Sequence, residues 1–270
     1  MTTEATVQTR PLAESLQRAR VAGTEVLYAR KGTGPALLCL HGAGGLGGTL
    51  PFLDRLTDRF DVIAPRHPSF DGSETPGWLR SIDDMGYFYL DLLDHLGLER
   101  VHLLGLSLGG WIGMEIGIRA PERLASLSLF GPPGMRFDGI TPTDIFLVPE
   151  EERPALMVHD AALQARMAAA EPDDAEVVRQ LGNWTALARM AWSPRWFSPR
   201  LDAWAHRLRM PVHVIWAAED RLFPRACAAA YVDRLPNARA TILPGCGHLA
   251  HIETPEALAE AARGFLTEAM

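Results

Sequence analysis

Short apolar runs alternate along the chain with longer segments in which apolar residues recur every three or four positions. Seven apolar runs are predicted as strands: 24–30, 36–42, 61–66, 101–106, 124–130, 212–218 and 240–245. Several of them are apolar at consecutive positions, which is typical of strands buried on both faces of a parallel sheet. Helices are predicted near 50–59, 82–96, 108–119, 225–235 and 255–268. This alternation predicts βαβ units and therefore an α/β protein.

Two of the predicted helices carry recognisable start signals. Ser81 and Asp84 have the spacing of a capping box, in which each side chain bonds the other residue's backbone N–H. Thr254 and Pro255 supply an N-cap residue and a proline for the first helical position. We therefore expect helices to begin after Ser81 and at Pro255.

The alternation of strands and helices stops between residues 132 and 205. This stretch shows no convincing strand, contains several prolines and holds four of the seven tryptophans. Insertions of this length between two strands are commonly functional. We predict a core domain formed by residues 1–131 and 206–270, with residues 132–205 as a helical lid.

Charge and cysteine content narrow the class of protein. The formal net charge is -7 with dispersed acidic residues, which argues against a nucleic-acid partner. Three cysteines without a C-x-x-C pair indicate reduced thiols. The N-terminal residues lack an apolar signal region, and no run of 18 apolar residues occurs, so we expect a cytoplasmic protein without a membrane partner. The sequence is compatible with a homodimer.

The segment "VHLLGLSLGGWIGMEIG" (101–117) joins a predicted strand directly to a predicted helix. Only Ser107 is left for the reversal, and the small neighbours Gly105 and Gly109 allow the strand and helix to pass closely. Such a turn lifts the serine hydroxyl to the helix N-terminus, where N–H groups favour negative charge. Gly109, Gly113 and Gly117 share one helix face, which we expect to lie against the sheet or another helix.

Five motifs, taken in order, give the chain a family resemblance: "LHGAGG" (40–45), "GLSLGG" (105–110), "PERLASLSLF" (121–130), "AAEDRLFP" (217–224) and "GCGHLAHIETP" (245–255). Over nearly its whole length the chain resembles the α/β-hydrolase superfamily. The resemblance implies a mostly parallel eight-stranded sheet flanked by helices, with a helical lid inserted after the sixth strand. The family order of serine, acid and histidine is met by Ser107, Asp220 and His248.

Each member of this triad suits a role in nucleophilic catalysis. His248 is a base that could take the proton of the Ser107 hydroxyl, a poor nucleophile on its own. Asp220 follows a predicted strand and would orient the imidazole, with the adjacent Glu219 as the alternative. His251 follows His248 at a spacing of three, but no third ligand accompanies them. We therefore expect no metal and no cofactor, and a packing role for His251.

Attack on a carbonyl creates an oxyanion that needs two N–H donors. The turn at Ser107 supplies the backbone N–H of Leu108. By resemblance the second donor is the backbone N–H of Ala43, with Gly44 as the alternative.

The substrate expectation rests on the tryptophans and methionines of the lid. Trp184, Trp192, Met190, Phe223 and Leu249 are expected to line an apolar pocket. The first hypothesis is therefore a serine carboxylesterase acting on small to medium apolar esters, with a small-molecule ester or related acyl compound as its partner.

Two further hypotheses use the same fold. A carbon–carbon bond hydrolase of the meta-cleavage-product type is supported by resemblance at "SLFGPPG" and "EDRLFP", with Arg189 or Arg195 as a carboxylate clamp. That group usually has a proline in the oxyanion loop and a tryptophan after the histidine, where this chain has "HGAGGLGG" and Leu249. The third hypothesis is a non-catalytic binding protein or receptor.

Overall fold

The computed structural model describes residues 11–270, whose strands form one eight-stranded sheet with the order β1-β2-β4-β3-β5-β6-β7-β8. The strands are β1 (Leu16–Val21), β2 (Thr24–Lys31), β3 (Ala36–Leu40), β4 (Asp61–Pro65), β5 (Val101–Leu106), β6 (Leu124–Phe130), β7 (Val212–Ala217) and β8 (Ala238–Leu243). Strands β3 to β8 pair in parallel, whereas β2 is antiparallel to both β1 and β4. The predicted mostly parallel α/β sheet is confirmed.

One strand, β1, was absent from the sequence prediction. Its residues, Leu-Gln-Arg-Ala-Arg-Val, bury only the fourth and sixth positions, because the strand lies at the edge of the sheet. An edge strand with one solvent-exposed face lacks the continuous apolar run that identifies the central strands.

Helices connect the strands and cover both faces of the sheet. The α-helices of the described residues are α1 (Leu50–Leu53), α2 (Ile82–His95), α3 (Leu108–Arg119), α4 (Arg153–Met157), α5 (Ala161–Ala168), α6 (Asp174–Ala191), α7 (Pro199–Trp204), α8 (Ala226–Arg234), α9 (Ala250–Glu253) and α10 (Pro255–Glu268). Helices α2, α3 and α8 contribute to one hydrophobic core, and α1 and α10 contribute to a second core on the other face.

The two predicted helix starts lie where the sequence places them. Helix α2 follows Ser81, whose backbone N–H donates to the Asp84 carboxylate at 2.9 Å. Pro255 is the first residue of α10, and Thr254 occupies the N-cap position, where its side chain makes no cap hydrogen bond. Both predicted helix starts are therefore confirmed, but the capping hydrogen bond is absent at Thr254.

Gly109, Gly113 and Gly117 of α3 face the sheet and its neighbours, as expected. A Cβ on Gly109 would lie 2.1 Å from the Leu40 carbonyl oxygen of β3. At Gly113 it would meet the Leu103 side chain at 2.7 Å, and at Gly117 the Leu208 side chain at 2.4 Å. The glycine face therefore lets α3 lie directly on the strands that carry it, which fixes Ser107 at the helix start.

The segment between β6 and β7 contains helices α4 to α7 and two isolated β-bridges. Ile145, Met157 and Trp184 of this segment share a cavity with Ser107, so the segment lies above the carboxyl ends of the central strands. Within residues 11–270, no helix combines the length and apolar character needed to cross a membrane.

Candidate active site

Ser107 occupies the single position between β5 and α3. Its φ of 50° and ψ of -115° lie in a region that residues with a side chain rarely adopt. Its N–H donates to the Phe130 carbonyl oxygen at 2.7 Å, which holds the turn to β6. A Cβ on Gly105 would lie 2.5 Å from the Gly109 carbonyl oxygen. The strained turn therefore requires glycine at 105 and 109, and it presents the Ser107 hydroxyl above the sheet.

The structure brings His248 between Ser107 and Asp220. Its Nε2 lies 2.9 Å from Ser107 Oγ, and its Nδ1 lies 2.7 Å from Asp220 Oδ2. The carboxylate accepts, so Nδ1 carries a proton and Nε2 of the neutral ring is left to accept from the serine hydroxyl. His248 and Asp220 are 3% and 6% exposed, so the hydrogen bond between them is buried.

Asp220, and not its neighbour Glu219, contacts the imidazole. The second oxygen of Asp220, Oδ1, accepts the N–H groups of Leu222 and Phe223, each at 2.9 Å. These two bonds fix the rotation of the carboxylate and aim Oδ2 at His248. The Glu219 carboxylate instead accepts the backbone N–H of Cys246 at 3.1 Å.

Gly131 makes room for the imidazole. It follows β6 directly, has a φ of +52°, and a Cβ there would lie 3.2 Å from the His248 ring. The rings of Phe130 and Phe223 flank the imidazole with centroids 6.3 and 5.4 Å away. Gly131 was not singled out from the sequence, and its only signal there is a glycine directly after a buried strand.

The expected oxyanion donors surround the serine. Ala43, Gly44 and Leu108 line the same cavity as Ser107. The N–H groups of Ala43 and Gly44 have no hydrogen-bond acceptor anywhere in residues 11–270. Leu108 is the first residue of α3, where the N–H has no acceptor within the helix. These free donors could stabilise a negatively charged oxygen bound above Ser107.

Two buried histidines in contact, His41 and His67, support this loop. The His67 backbone N–H donates to His41 Nε2 at 3.0 Å, so His41 carries its proton on Nδ1 and donates to the Gly42 carbonyl oxygen at 2.7 Å. His67 Nε2 donates to the His41 carbonyl oxygen at 2.9 Å, and Tyr89 bonds its Nδ1. Burial lowers the pKa of His41 to about 4 and that of His67 well below its usual value. The pair is therefore a neutral structural unit.

The cavity over Ser107 has a volume of about 400 Å³ and is mostly apolar. Its apolar residues include Leu106, Leu108, Phe130, Ile145, Met157, Met167, Trp184, Leu187, Trp196, Leu222, Phe223, Leu249 and Ile252. Its polar side chains are those of Thr49, Ser107, Arg179, Gln180, Asn183, His248 and His251. An apolar ligand group of moderate size fits this composition.

Two of the five expected pocket residues do not line this cavity. Trp184, Phe223 and Leu249 do lie on its wall. Met190 shares the helix face of Asn183 but lies two turns farther along α6, where the helix enters the hydrophobic core. Trp192 is 51% exposed and packs against the Arg195 guanidinium, 3.8 Å from its ring centre. The expectation for Met190 and Trp192 is therefore corrected.

The arginines weighed as a carboxylate clamp are not in the cavity. Arg189 is exposed, and Arg195 pairs with Asp144. The arginine on the cavity wall is Arg179, which sequence reasoning missed. Its Nη1 pairs with Asp71 at 2.6 Å and its Nη2 with Glu176 at 2.6 Å.

His251 is also part of the cavity wall, beyond the packing role expected for it. The pKa of His251 is lowered to about 4, mainly by burial and to a smaller extent by the nearby His248. Among the described residues, no cluster of three histidine, cysteine, aspartate or glutamate side chains has the geometry of a metal site.

Glu253 ties the histidine loop to the helical segment above the sheet. Its carboxylate accepts the Gly247 N–H at 2.7 Å. Its other oxygen accepts the N–H groups of His159 and Asp160 at 2.7 and 2.8 Å. The loop that carries His248 is therefore held together with the start of α5. The sequence gives no signal for the contact with the helical segment, because His159 and Asp160 are 94 and 93 residues away from Glu253 along the chain.

Comparison with known proteins identifies the family to which the chain belongs. Residues 37–261 match the profile of the alpha/beta hydrolase family. A dihydrolipoyllysine-residue acetyltransferase component of an acetoin cleaving system from Cupriavidus necator is 29% identical over 89% of this chain, which spans 66% of that relative. A 2-hydroxy-6-oxo-6-phenylhexa-2,4-dienoate hydrolase from Comamonas testosteroni is 28% identical over 89% of this chain and 91% of the relative.

A solved structure shares the fold. The meta-cleavage product hydrolase from Pseudomonas fluorescens IP01 superposes with a TM-score of 0.76 and 21% identity, over 94% of this chain and 98% of its own. At 21% sequence identity, this similarity shows a shared fold only.

Proposed function

Because the chain belongs to the alpha/beta hydrolase family, we propose that it is a serine carboxylesterase that cleaves small to medium apolar esters through an acyl-enzyme. Ser107 is the nucleophile, His248 the general base and acid, and Asp220 the residue that orients the imidazole. The observation that carries the proposal is the continuous relay of 2.9 and 2.7 Å beneath an apolar cavity.

Acylation begins when Ser107 Oγ attacks the ester carbonyl carbon. The hydroxyl proton passes to His248 Nε2, and Asp220 stabilises the resulting imidazolium. The carbonyl oxygen gains a negative charge and accepts hydrogen bonds from the N–H groups of Leu108 and of Ala43 or Gly44. Each such donor contributes about 3 kcal/mol to transition-state stabilisation. Collapse of this intermediate releases the alcohol, which takes the proton from His248.

Deacylation repeats the sequence with water. His248, now neutral, takes a proton from a water molecule that attacks the carbonyl carbon of the acyl-Ser107 ester. The second tetrahedral intermediate uses the same N–H donors, and its collapse releases the carboxylic acid and restores the Ser107 hydroxyl.

The charge of the cavity wall supports a neutral substrate. Among the described residues, no lysine or arginine other than Arg179 lines the cavity. Both terminal nitrogens of its guanidinium group are paired with carboxylates. A substrate carboxylate would therefore meet no unpaired cation there. Neutral acyl chains fit the apolar wall without burying an unpaired charge.

Carbon–carbon bond hydrolysis is the second candidate. It is supported by the 28% identity to a dienoate hydrolase and by the same three side chains. Its weakness is the substrate carboxylate that such a dienoate carries, because the cavity wall offers no unpaired lysine or arginine among the described residues.

We also propose that residues 132–205 act as a lid over the cavity. The segment supplies cavity residues from several of its elements, among them Ile145, Met157, Trp184 and Trp196. Esters would reach Ser107 between this segment and the loop at residues 42–46.

A panel of p-nitrophenyl esters of graded acyl length, assayed beside a dienoic diketone acid, tests the proposal. We expect a burst of p-nitrophenol followed by turnover with short and medium acyl chains, and a decline with longer chains as the cavity fills. Hydrolysis of the dienoic acid should be undetectable at matched enzyme concentration.

Two results would contradict the proposal. Efficient cleavage of the dienoic acid with negligible ester turnover would favour the carbon–carbon bond hydrolase. The absence of both a burst and steady-state turnover with every ester, together with binding of a non-hydrolysable ester analogue, would favour a receptor.

A further inference from the structure

Asp71 lies in the loop after β4 and adopts an unusual backbone conformation. Its φ is +51°, a region that non-glycine residues seldom occupy and that costs about 1–3 kcal/mol. Its side chain is 7% exposed, although aspartate is rarely buried without partners. A strained, buried carboxylate persists only where the surrounding contacts hold it.

The first of these contacts joins Asp71 to the oxyanion loop, residues 42–46. Its Oδ2 accepts the backbone N–H of Leu46 at 2.7 Å. Its Oδ1 packs on Gly45, where a Cβ would lie only 2.1 Å away and where φ is +96°. The carboxylate therefore fits against the loop at a point where any larger residue would push it away.

The second set of contacts joins Asp71 to α6 of the helical segment. Its Oδ1 accepts from Arg179 Nη1 at 2.6 Å and from Asn183 Nδ2 at 3.1 Å. Its own N–H donates to Asn183 Oδ1 at 2.7 Å. Arg179 Nη1 also lies 3.2 Å from the Gly44 carbonyl oxygen. One carboxylate thus connects α6 to the loop that carries the oxyanion donors.

The charge of Asp71 is maintained by these neighbours. Burial alone would raise its pKa, but the bonds from Leu46, Asn183 and Arg179 hold the pKa below its usual value. The link between the loop and α6 therefore stays intact across the neutral range.

We infer that Asp71 is a positioning residue that fixes the oxyanion loop against α6, so that the N–H donors of Ala43 and Gly44 are aligned only while α6 is docked. This inference rests on the proposed function and deepens it. It makes the docking of the helical segment a requirement for transition-state stabilisation as well as for substrate enclosure.

Asp71→Asn is the sharpest substitution, because asparagine has nearly the same shape and tolerates positive φ. Asp71 accepts from the loop at one oxygen and from α6 at the other. An amide has a single acceptor oxygen, so its NH2 group must face either the Leu46 N–H or the Arg179 guanidinium. One of the two links is lost in either orientation.

Kinetics of this variant separate positioning from simple packing. We expect kcat for a p-nitrophenyl ester to fall by about 10–100-fold with KM changed by less than about threefold, since the loss falls on the transition state. The Ki of a trifluoromethyl ketone, whose hemiketal oxygen would occupy the oxyanion position, should rise by the same factor as kcat/KM falls. A rise in KM alone, or an unchanged Ki, would overturn the inference.

Glu176→Gln is the matched control. Glu176 binds the other side of the Arg179 guanidinium at 2.6 Å, touches neither the oxyanion loop nor the cavity, and sits on the same helix. We expect its kcat and Ki to stay within about twofold of wild type, because losing a half-exposed ion pair has little effect. An equal loss in both variants would assign the effect to general weakening of α6.

Amide hydrogen exchange gives a readout that does not depend on turnover. We expect a peptide covering residues 42–50 to exchange faster in Asp71→Asn and in Arg179→Gln than in wild type or Glu176→Gln. Unchanged exchange in Asp71→Asn would contradict the link, whether or not the protein hydrolyses esters. If wild type lacks esterase activity but the exchange pattern holds, the proposed function fails and the link between α6 and the loop stands.

Discussion

At the scale of single residues, the serine, acid and histidine were accessible from the sequence because each follows a strand inside a recognisable motif. Asp71, Gly131 and Glu253 were not, because each has backbone or side-chain partners distant along the chain. Unlike a local capping box, a carboxylate that accepts backbone N–H groups from a distant segment leaves no pattern in the sequence. The residues that position the site are therefore harder to predict than the residues proposed to react.

The choice between Asp220 and Glu219 can be tested by matched amide substitutions. In Asp220→Asn the amide oxygen should remain with the N–H groups of Leu222 and Phe223, which turns the NH2 group toward His248 Nδ1. Nδ1 then becomes an acceptor, and the proton moves to Nε2, where it blocks base catalysis. We expect kcat to fall by about 10³–10⁴-fold.

Glu219→Gln is the control for this prediction, because its amide oxygen can still accept the Cys246 N–H. Steady-state kinetics should show kcat within about threefold of wild type at an unchanged melting temperature. A larger loss in Glu219→Gln than in Asp220→Asn would reverse the assignment.

At the scale of elements, strands with two buried faces were predicted with boundaries close to those observed. The edge strand β1 was missed, and the predicted helix near 50–59 is shorter, with α1 ending at Leu53 before a 3-10 turn. Apolar periodicity reports burial, so it is weakest where an element meets solvent. The glycine face of α3 was read correctly because close packing on a sheet leaves a periodic sequence trace.

Two glycine substitutions should have opposite effects on stability. Gly182 lies inside α6 with open space where a Cβ would be, so Gly182→Ala should raise the free energy of unfolding by about 0.5–1 kcal/mol. Gly109→Ala should lower it by more than about 2 kcal/mol, since its Cβ would lie 2.1 Å from a rigid backbone oxygen. Urea denaturation measures both. Equal effects of the two changes would show that α3 is not held against β3.

At the scale of the whole molecule, the resemblance predicted the sheet and its helical layers, and the structure shows both with a hydrophobic core on each face. The walls of the cavity were predicted less well. Gln180, Asn183, Trp184 and Leu187 of α6 share a face over Ser107, but the sequence does not specify how far along the helix the cavity extends. Where one element docks on another is a property of the assembled fold.

Buried neutral histidines should make the whole molecule sensitive to acid. The pKa of His213 is lowered from 6.5 to about 4, mainly by burial and to a smaller extent by the charge of Arg239. Between these values the unfolded chain binds a proton that the folded chain does not, so the free energy of unfolding falls as the pH drops from 6.5 to 4. This one group contributes a slope of at most about 1.4 kcal/mol per pH unit.

His213→Gln removes the group that binds this proton in the unfolded chain. We expect the plot of unfolding free energy against pH to be shallower than that of wild type between pH 6.5 and 4, and parallel to it above pH 7. Denaturation at several pH values measures the difference. Parallel plots over the whole range would show that His213 is protonated equally in both states.

The central claim, that Ser107 is the nucleophile, is tested most directly by an alkyl phosphonate p-nitrophenyl ester. The serine oxygen should attack phosphorus and release p-nitrophenolate. Trypsin should then yield the peptide 101–119, in which Ser107 is the only serine. Mass spectrometry should find one adduct per chain on this peptide, formed in step with the loss of esterase activity and absent in Ser107→Ala. Full inactivation with this peptide unmodified, or an equal adduct in Ser107→Ala, would contradict the account.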